Sequence, residues 1–224
     1  MSKKYNVKIK SIQFLTHDVL QFVTDKPEHY NFSPGQACEI SISKTGWNNE
    51  QRPFTFTSLP ENDYLEFIIK TYPLHNSVTN ELLQQKIDDE LILSKAFGKI
   101  RYNGEGVFIA GGAGVTPFIS ILRFLKSKNE LFENKLIFAN KTKDDIIIEN
   151  EFKTILGKNF INILSADKNN RYAHGRITEK FLKYYINSST KNIYLCGPLL
   201  MMDEIKKQLT NLGIQKKIIT TENI

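Results

Sequence analysis

The sequence predicts two domains, an antiparallel β-barrel followed by a doubly wound parallel sheet, and three observations carry this. The first hundred residues hold short alternating or apolar runs punctuated by turn residues, the pattern of a barrel or sandwich. After Gly104 strand-like and helix-like segments alternate, which builds a parallel sheet with a crevice at its strand carboxyl ends. Between them, Phe97-Gly98-Lys99-Ile100-Arg101-Tyr102-Asn103-Gly104 sets the boundary, giving domains of residues 1–102 and 103–224.

In the first part, strands are expected at Val7-x-Ile9, Val19-Leu20-x-Phe22-Val23, Cys38-x-Ile40-x-Ile42, Phe54-x-Phe56 and Tyr64-Leu65-x-Phe67-Ile68-Ile69. Asp25-Lys26-Pro27, Ser33-Pro34-Gly35, Lys44-Thr45-Gly46 and Pro60-Glu61-Asn62-Asp63 separate them as turns. One helix is expected from Ser77 to Lys86, with Val78, Leu82 and Leu83 inward. In the second part, strands are expected at 107–110, 135–139, 160–164, 192–196 and 217–220. Helices are expected near 116–128, 149–156, 178–186 and 199–211.

The most informative stretch is Gly106-Val-Phe-Ile-Ala-Gly-Gly-Ala-Gly-Val-Thr-Pro-Phe118. A buried strand breaks at Gly111, Gly112 and Gly114, and a helix with Phe118, Ile121, Leu122 and Leu125 on one face follows. Such a turn lets backbone N–H groups approach a pyrophosphate, with the helix dipole favouring the anion. Pro117 suits the first helical turn. The match to the common dinucleotide fingerprint is imperfect: Pro117 stands where a third glycine is expected. The next strand ends in Asn140-Lys141-Thr142, without the usual acidic ribose partner. A glycine turn that merely closes a βα unit is the plainer alternative.

Composition narrows the class. No apolar run is long enough to cross a bilayer, and Met1-Ser-Lys-Lys-Tyr-Asn-Val lacks a signal-peptide core. The two cysteines, Cys38 and Cys196, fit no metal or cluster spacing, and four thiolates for an iron–sulfur centre are not available. A soluble, reduced, cytoplasmic protein binding no metal is the simplest account. Through Tyr102, twelve basic residues balance twelve acidic ones, so the net +6 comes wholly from the second part. Its lysines are dispersed, without a basic run or interleaved aromatics. A solvated basic face, an acidic protein partner or a phosphorylated cofactor therefore fits better than nucleic acid.

Three further groups of residues can carry chemistry. Arg52-Pro53-Phe54-Thr55 offers a charge for a pyrophosphate, an aromatic face for a flat ring and a hydroxyl for a ring heteroatom. Ser77-Val78-Thr79 opens the first domain's helix, as a phosphate site or an ordinary cap. Cys196-Gly197-Pro198 ends a buried strand at the crevice, where a cysteine is also commonly just a small hydrophobe. Met201 and Met202 follow, more simply core than contact.

Together these motifs, in this order and in these domains, resemble the ferredoxin–NADP reductase superfamily over nearly the whole chain. The likeness is to its compact two-domain flavodoxin/ferredoxin reductases and oxygenase-reductase modules. The family's Arg-x-Tyr-Ser/Thr flavin motif reads Arg52-Pro53-Phe54-Thr55 here, with phenylalanine replacing the tyrosine. Its Gly-Gly-x-Gly-x-x-Pro nucleotide motif runs from Gly111 to Pro117, including Val115 and Thr116. Its Cys-Gly-Pro-x-x-Met motif runs from Cys196 to Met201. The resemblance extends the flavin contacts to Ile69, Lys70 and Tyr72, and to Ser77, Val78 and Thr79. His75-Asn76-Ser77-Val78-Thr79 lacks the family's usual glycine, and Thr221-Glu222-Asn223-Ile224 lacks the terminal aromatic of many relatives.

The resemblance implies a flavin-dependent oxidoreductase passing a hydride from NAD(P)H to bound FAD, then single electrons to an acceptor such as ferredoxin, flavodoxin or an oxygenase component. Thr55, Thr116 and Cys196 would line the transfer space as its catalytic residues. FAD is favoured over FMN. NADH is slightly favoured over NADPH, because the third strand ends Ser165-Ala166-Asp167 without the arginine of NADP-dependent relatives. Lys141, Lys168 and Arg171 are left as possible phosphate partners. Reduction of ferric chelates or free flavin, or service as an electron-transfer subunit of a larger complex, are the alternatives. The oligomeric state is left open.

Overall fold

The computed structural model describes residues 3–72, 77–168 and 171–222. His75, Asn76, Asn223 and Ile224, which figured in the family comparison, lie outside the described residues.

Six strands form the first sheet: β1 (Tyr5–Thr16), β2 (Val19–Asp25), β3 (Ala37–Ile42), β4 (Arg52–Thr55), β5 (Tyr64–Lys70) and β6 (Glu90–Leu93). Their order is β4-β3-β6-β1-β2-β5, and every pairing is antiparallel. β1 is long enough to serve two neighbours: Tyr5–Lys8 pair with β6 and Ile9–Thr16 with β2. Register shifts at Ile9/Ser11 and Phe14/Thr16 bend it, and such bends let a sheet curl. The ends then meet. Phe56, just past β4, bridges Phe67 of β5, and the Thr57 N–H donates to the Glu66 carbonyl at 2.8 Å. The barrel is filled by inward residues including Phe22, Ile40, Phe56, Phe67, Leu91 and Leu93, with Phe32 stacked on Phe56 at 4.2 Å.

The expected Ser77–Lys86 helix is shorter and tighter. α1 covers Val78–Glu81, and a 3₁₀ turn over Leu82–Gln84 ends it. Val78 and Leu82 are buried in the barrel, whereas Leu83 only flanks it. β6 was not expected from the sequence.

The second sheet contains β7 (Val107–Gly111), β8 (Lys135–Asn140), β9 (Phe160–Leu164), β10 (Ala173–His174), β11 (Ile193–Cys196) and β12 (Ile219–Thr221). The order is β10-β9-β8-β7-β11-β12, all parallel. One face is covered by α2 (Thr116–Ser127) and α3 (Glu149–Leu156), the other by α4 (Glu179–Leu182) and α5 (Leu199–Asn211). In α2, Phe118, Ile121, Leu122 and Leu125 are all buried, as their spacing predicted. Each such side chain contributes about 1.5–3 kcal/mol. The last expected strand begins later, at Ile219, because a 3₁₀ turn over Lys216–Ile218 precedes it. The helix expected over 178–186 is regular only through Leu182, with Thr178 capping it by accepting from the Phe181 N–H.

The two sheets share a packed seam. Val19, Ile68 and Ile100 join the same apolar cluster as Phe118, Ile121 and Phe138. The Gly35 N–H donates to Ser120 Oγ at 2.9 Å, and a Cβ at Gly35 would lie 2.7 Å from the Ile100 carbonyl.

Candidate flavin and nicotinamide site

The chain leaves central strand β7 toward β8 on one side, and later leaves β11 toward β12 on the other. The crevice of a doubly wound sheet opens at this reversal, outside the strand carboxyl ends. Ala110 and Cys196 are register partners there. The glycine turn and Cys196-Gly197-Pro198, far apart in sequence, therefore share one rim.

Each glycine of the turn has its own reason. A Cβ at Gly111 would lie 2.5 Å from Met201 Sδ, and one at Gly114 would lie 2.5 Å from the Cys196 carbonyl and the Gly197 backbone. These two let the turn pack directly on the end of β11. Gly112 has φ +51, and a Cβ there would meet nothing within 4 Å. Its left-handed conformation favours glycine while the space over it stays open. A 3₁₀ turn over Gly112–Val115 feeds into α2, with Pro117 in the first turn. The Thr116 N–H is taken by the Ala113 carbonyl and Pro117 has none, so the donors that face the crevice are the N–H groups opening the 3₁₀ turn, from Gly112 to Gly114, suited to an anionic phosphate. The donor set and the space fit a dinucleotide pyrophosphate.

The Thr116 hydroxyl donates to the Ala113 carbonyl at 3.0 Å, tying the turn together. Cys196 is 1% exposed. Its thiol is pushed up to about 12, first by burial and then by the Glu222 carboxylate, against a weaker pull from the Gly197 N–H. The residue is a neutral, polarisable wall, not a nucleophile. Met201 lies under the turn, touching Gly111 and Gly197, while Met202 is core.

On the barrel, β4 pairs with β3 so that Arg52 faces Ile40, Pro53 faces Glu39, Phe54 faces Cys38 and Thr55 faces Ala37. The Arg52 guanidinium is half exposed, donating to the Gln51 carbonyl at 2.7 Å and lying 3.9 Å from Glu50. Phe54 is half-buried, packed against the barrel core on one side. Thr55 is 4% exposed, and its hydroxyl has no hydrogen-bond partner among the described residues. Pro53, Phe54 and Thr55 thus offer a ring face and an uncommitted hydroxyl, which fit a flat heterocycle.

The remaining positions differ in what they offer. Ile69 is buried, Tyr72 is exposed, and the Lys70 ammonium sits on Asp18 Oδ2 at 2.6 Å, drawn to the β1–β2 hairpin. Ser77 and Thr79 hydroxyls bond one another at 2.9 Å, and Ser77 makes no side-chain cap. The side chain of Val78 points into the barrel core, so its backbone alone is on offer. Sequence reasoning missed Glu222, whose carboxylate accepts the Lys99 N–H at 2.9 Å and adjoins Gly98 and Cys196. An acid in a chain-terminal segment carries no pattern that would place it there. His17, Asp18 and Asp145 also lie together, with Asp18 engaged by Lys70.

A barrel with an aromatic face and an unpaired hydroxyl on β4, joined to a parallel sheet with a glycine turn at its crevice, fits a two-domain flavin- and nicotinamide-binding chain. The family comparison agrees. Residues 4–136 match the FAD-binding domain model and residues 108–207 match the oxidoreductase NAD-binding domain model. The chain belongs to this FAD-binding family and carries an oxidoreductase NAD-binding domain beside it. It is 29% identical to human cytochrome b5 reductase 4 over 92% of its own length and 44% of that protein's. It is 26% identical to the propane 2-monooxygenase reductase component of Mycolicibacterium smegmatis, over 87% of this chain and 60% of the relative. The chain thus spans roughly half the length of these curated relatives. Among solved structures, the CS-b5R domains of human Ncb5or in the NAD+ form superpose with TM-score 0.86 at 26% identity, over all of this chain and 70% of the other. A ferredoxin NADP+ reductase from Neisseria gonorrhoeae with bound FAD and NADP superposes with TM-score 0.86 at 19% identity, covering 100% of this chain and 99% of that one, which speaks for the fold alone. Among the described residues no helix is long and apolar enough to cross a membrane.

Proposed function

We propose that this chain takes reducing equivalents from NAD(P)H and delivers them singly to an acidic acceptor protein, a ferredoxin, flavodoxin or oxygenase component. The supporting observation is the shared rim of Gly111–Pro117 and Cys196–Pro198, with an open cradle over Gly112 and a neutral thiol beside it. Residues 1–102 act as the FAD-binding domain and 103–224 as the NAD(P)-binding domain.

In this reading, bound FAD supplies the conversion between a two-electron donor and a one-electron acceptor. Phe54 and Pro53 hold its ring, Thr55 donates a hydrogen bond to a ring heteroatom, and Ile69, Lys70 and Tyr72 border it. Arg52, Ser77, Val78 and Thr79 serve its phosphates. Gly111, Gly112, Gly114, Val115, Thr116 and Pro117 receive the nicotinamide nucleotide, while Cys196, Gly197, Pro198 and Met201 wall its reactive end. Thr116 and buried Cys196 exclude water there without exchanging protons. The net +6, carried by the second domain, supports an acidic acceptor. Cysteines kept as free buried thiols support a reducing, cytoplasmic setting.

Anaerobic titration of the purified holoprotein with NADH and with NADPH tests this reading. Bleaching of the flavin absorbance is expected, more readily with NADH. A preparation that retains no flavin, or a bound flavin that neither nucleotide reduces, would refute it. Turnover with a ferredoxin or flavodoxin should weaken as salt rises, whereas reduction of a ferric chelate should not.

A further inference from the structure

We propose that Arg123 is a positioning residue that sets how the two cofactor-bearing domains face each other, an inference resting on the function proposed above. Arg123 lies on α2, and its guanidinium uses four donor bonds. Nε donates to Glu151 Oε1 at 2.6 Å and Nη2 to Glu151 Oε2 at 2.9 Å, a fork that fixes its plane on α3. Nη1 reaches into the barrel, donating to Glu66 Oε1 at 2.5 Å and to the Thr57 carbonyl at 2.8 Å.

The far side is equally committed. Glu66 is 6% exposed. Its carboxylate also accepts from Thr57 Oγ1 and from Gln21 Nε2, each at 2.7 Å. Thr57 and Glu66 are the residues whose backbones close the barrel. One turn earlier on α2, Ser120 holds the Gly35 N–H at 2.9 Å. Adjacent Gln36 accepts the Phe56 N–H at 3.0 Å, also at the closure. The helix is therefore pinned to the barrel seam at two points on one face, which fixes its rotation as well as its distance.

Both ends of this connection lie close to the reacting groups. Thr57 is two residues past Thr55, the end of β4, at most about 7 Å of chain away. Arg123 is seven residues past Thr116, about 10 Å along a helix. The path Thr55–Thr57–Arg123–Thr116 runs through rigid elements and one charge-assisted bond. A nucleotide held at the α2 N-terminus and a flavin held on β4 are spaced by it. Lysine keeps the charge but not the fork, so it cannot hold the same plane.

The test compares wild type with R123K and R123M in two preparations. In flavin-free protein, hydrogen exchange at the Gly35 and Lys99 amides, whose bonds cross the seam, should accelerate in both variants, while Phe22 and Ile40 in the barrel stay protected. In holoprotein, FAD affinity should change less than about twofold. The first-order rate of flavin reduction should fall on the order of 10- to 100-fold, the penalty typical of small misplacements. The long-wavelength charge-transfer absorbance of the nucleotide–flavin complex should weaken in parallel, and R123K should rescue only partly. Variants that melt lower but keep the wild-type reduction rate and absorbance band would overturn the proposal. If R123M does not fold, E66Q removes the same cross-seam charge without cutting the Arg123–Glu151 fork. Wild type that neither nucleotide reduces would sink the functional reading instead, and the exchange data would still decide whether Arg123 pins the domains.

Discussion

Thr55 is nearly buried, and its hydroxyl finds no partner among the described residues. That oxygen is not one of the fully buried polar atoms left without a partner, so solvent satisfies it in the flavin-free protein and its removal costs little folding stability. Thr55→Val, nearly the same shape, should therefore leave the melting temperature of flavin-free protein unchanged or slightly higher. The same variant should bind FAD up to about tenfold more weakly, the worth of one net hydrogen bond. Fluorescence titration of FAD measures one effect and differential scanning calorimetry the other. Cys196 makes a contrasting prediction. Because burial holds its thiol up to about 12, alkylation by iodoacetamide at pH 8 should be slow in the folded protein and fast in urea. Its contribution to stability is complete below the ordinary thiol value of 9.0 and declines as pH rises from there toward about 12. A native-state alkylation rate equal to that of free cysteine would contradict this.

Among the elements, the glycine turn separates packing from binding. Gly114→Ala drives a methyl into backbone 2.5 Å away, so it should cost about 1–3 kcal/mol or more in urea unfolding. Gly112→Ala has room but the wrong φ, costing about 1–2 kcal/mol. Its methyl would fill the cradle, so nucleotide affinity should fall more for Gly112→Ala than its stability does. Isothermal titration against the unfolding midpoints would show the two orders. The turn was readable in sequence because its glycines interrupt a strong apolar run. β10 was not: Ala173-His174 has no period, and only pairing with β9 makes it a strand. β6 was missed because Leu91-Ile92-Leu93 is brief and lacks clear flanking turns. It is a strand because β1 and β3 lie on either side of it.

For the whole molecule, the domain order and the two stretches of the candidate site, Arg52–Thr55 and Gly111–Pro117, were legible because each rests on local pattern. The seam was not, since Arg123, Glu66 and Glu151 are brought together by folding alone. Acid should loosen the second domain. Asp145 is partly buried, which would raise its carboxyl, yet bonds from the Thr142 hydroxyl and N–H, with Lys70 and His17 nearby, hold it below the ordinary 3.8. Glu149 is likewise held below 4.5 against its burial by Lys153 and Tyr172. The stability both supply is present above those ordinary values and drains as pH falls through the lower folded ones. Circular dichroism at low salt should show Asp145→Asn unfolding less steeply with acid than wild type. An unchanged slope would mean these bonds do not matter to folding.

The barrel closes through Phe56 and Phe67. The bridge joins the first sheet to itself at a single residue pair, and β4 over Arg52–Thr55 keeps β3 as its ladder partner on one side only. The two flanks of the second sheet, which can offer unpaired backbone to a neighbouring molecule, are kept short, two residues in β10 and three in β12. Arg171 and Arg176 bracket the first, and Lys216 and Lys217 precede the second. Self-association of misfolded chains would start from these two borders, and the charges beside them act as its guard.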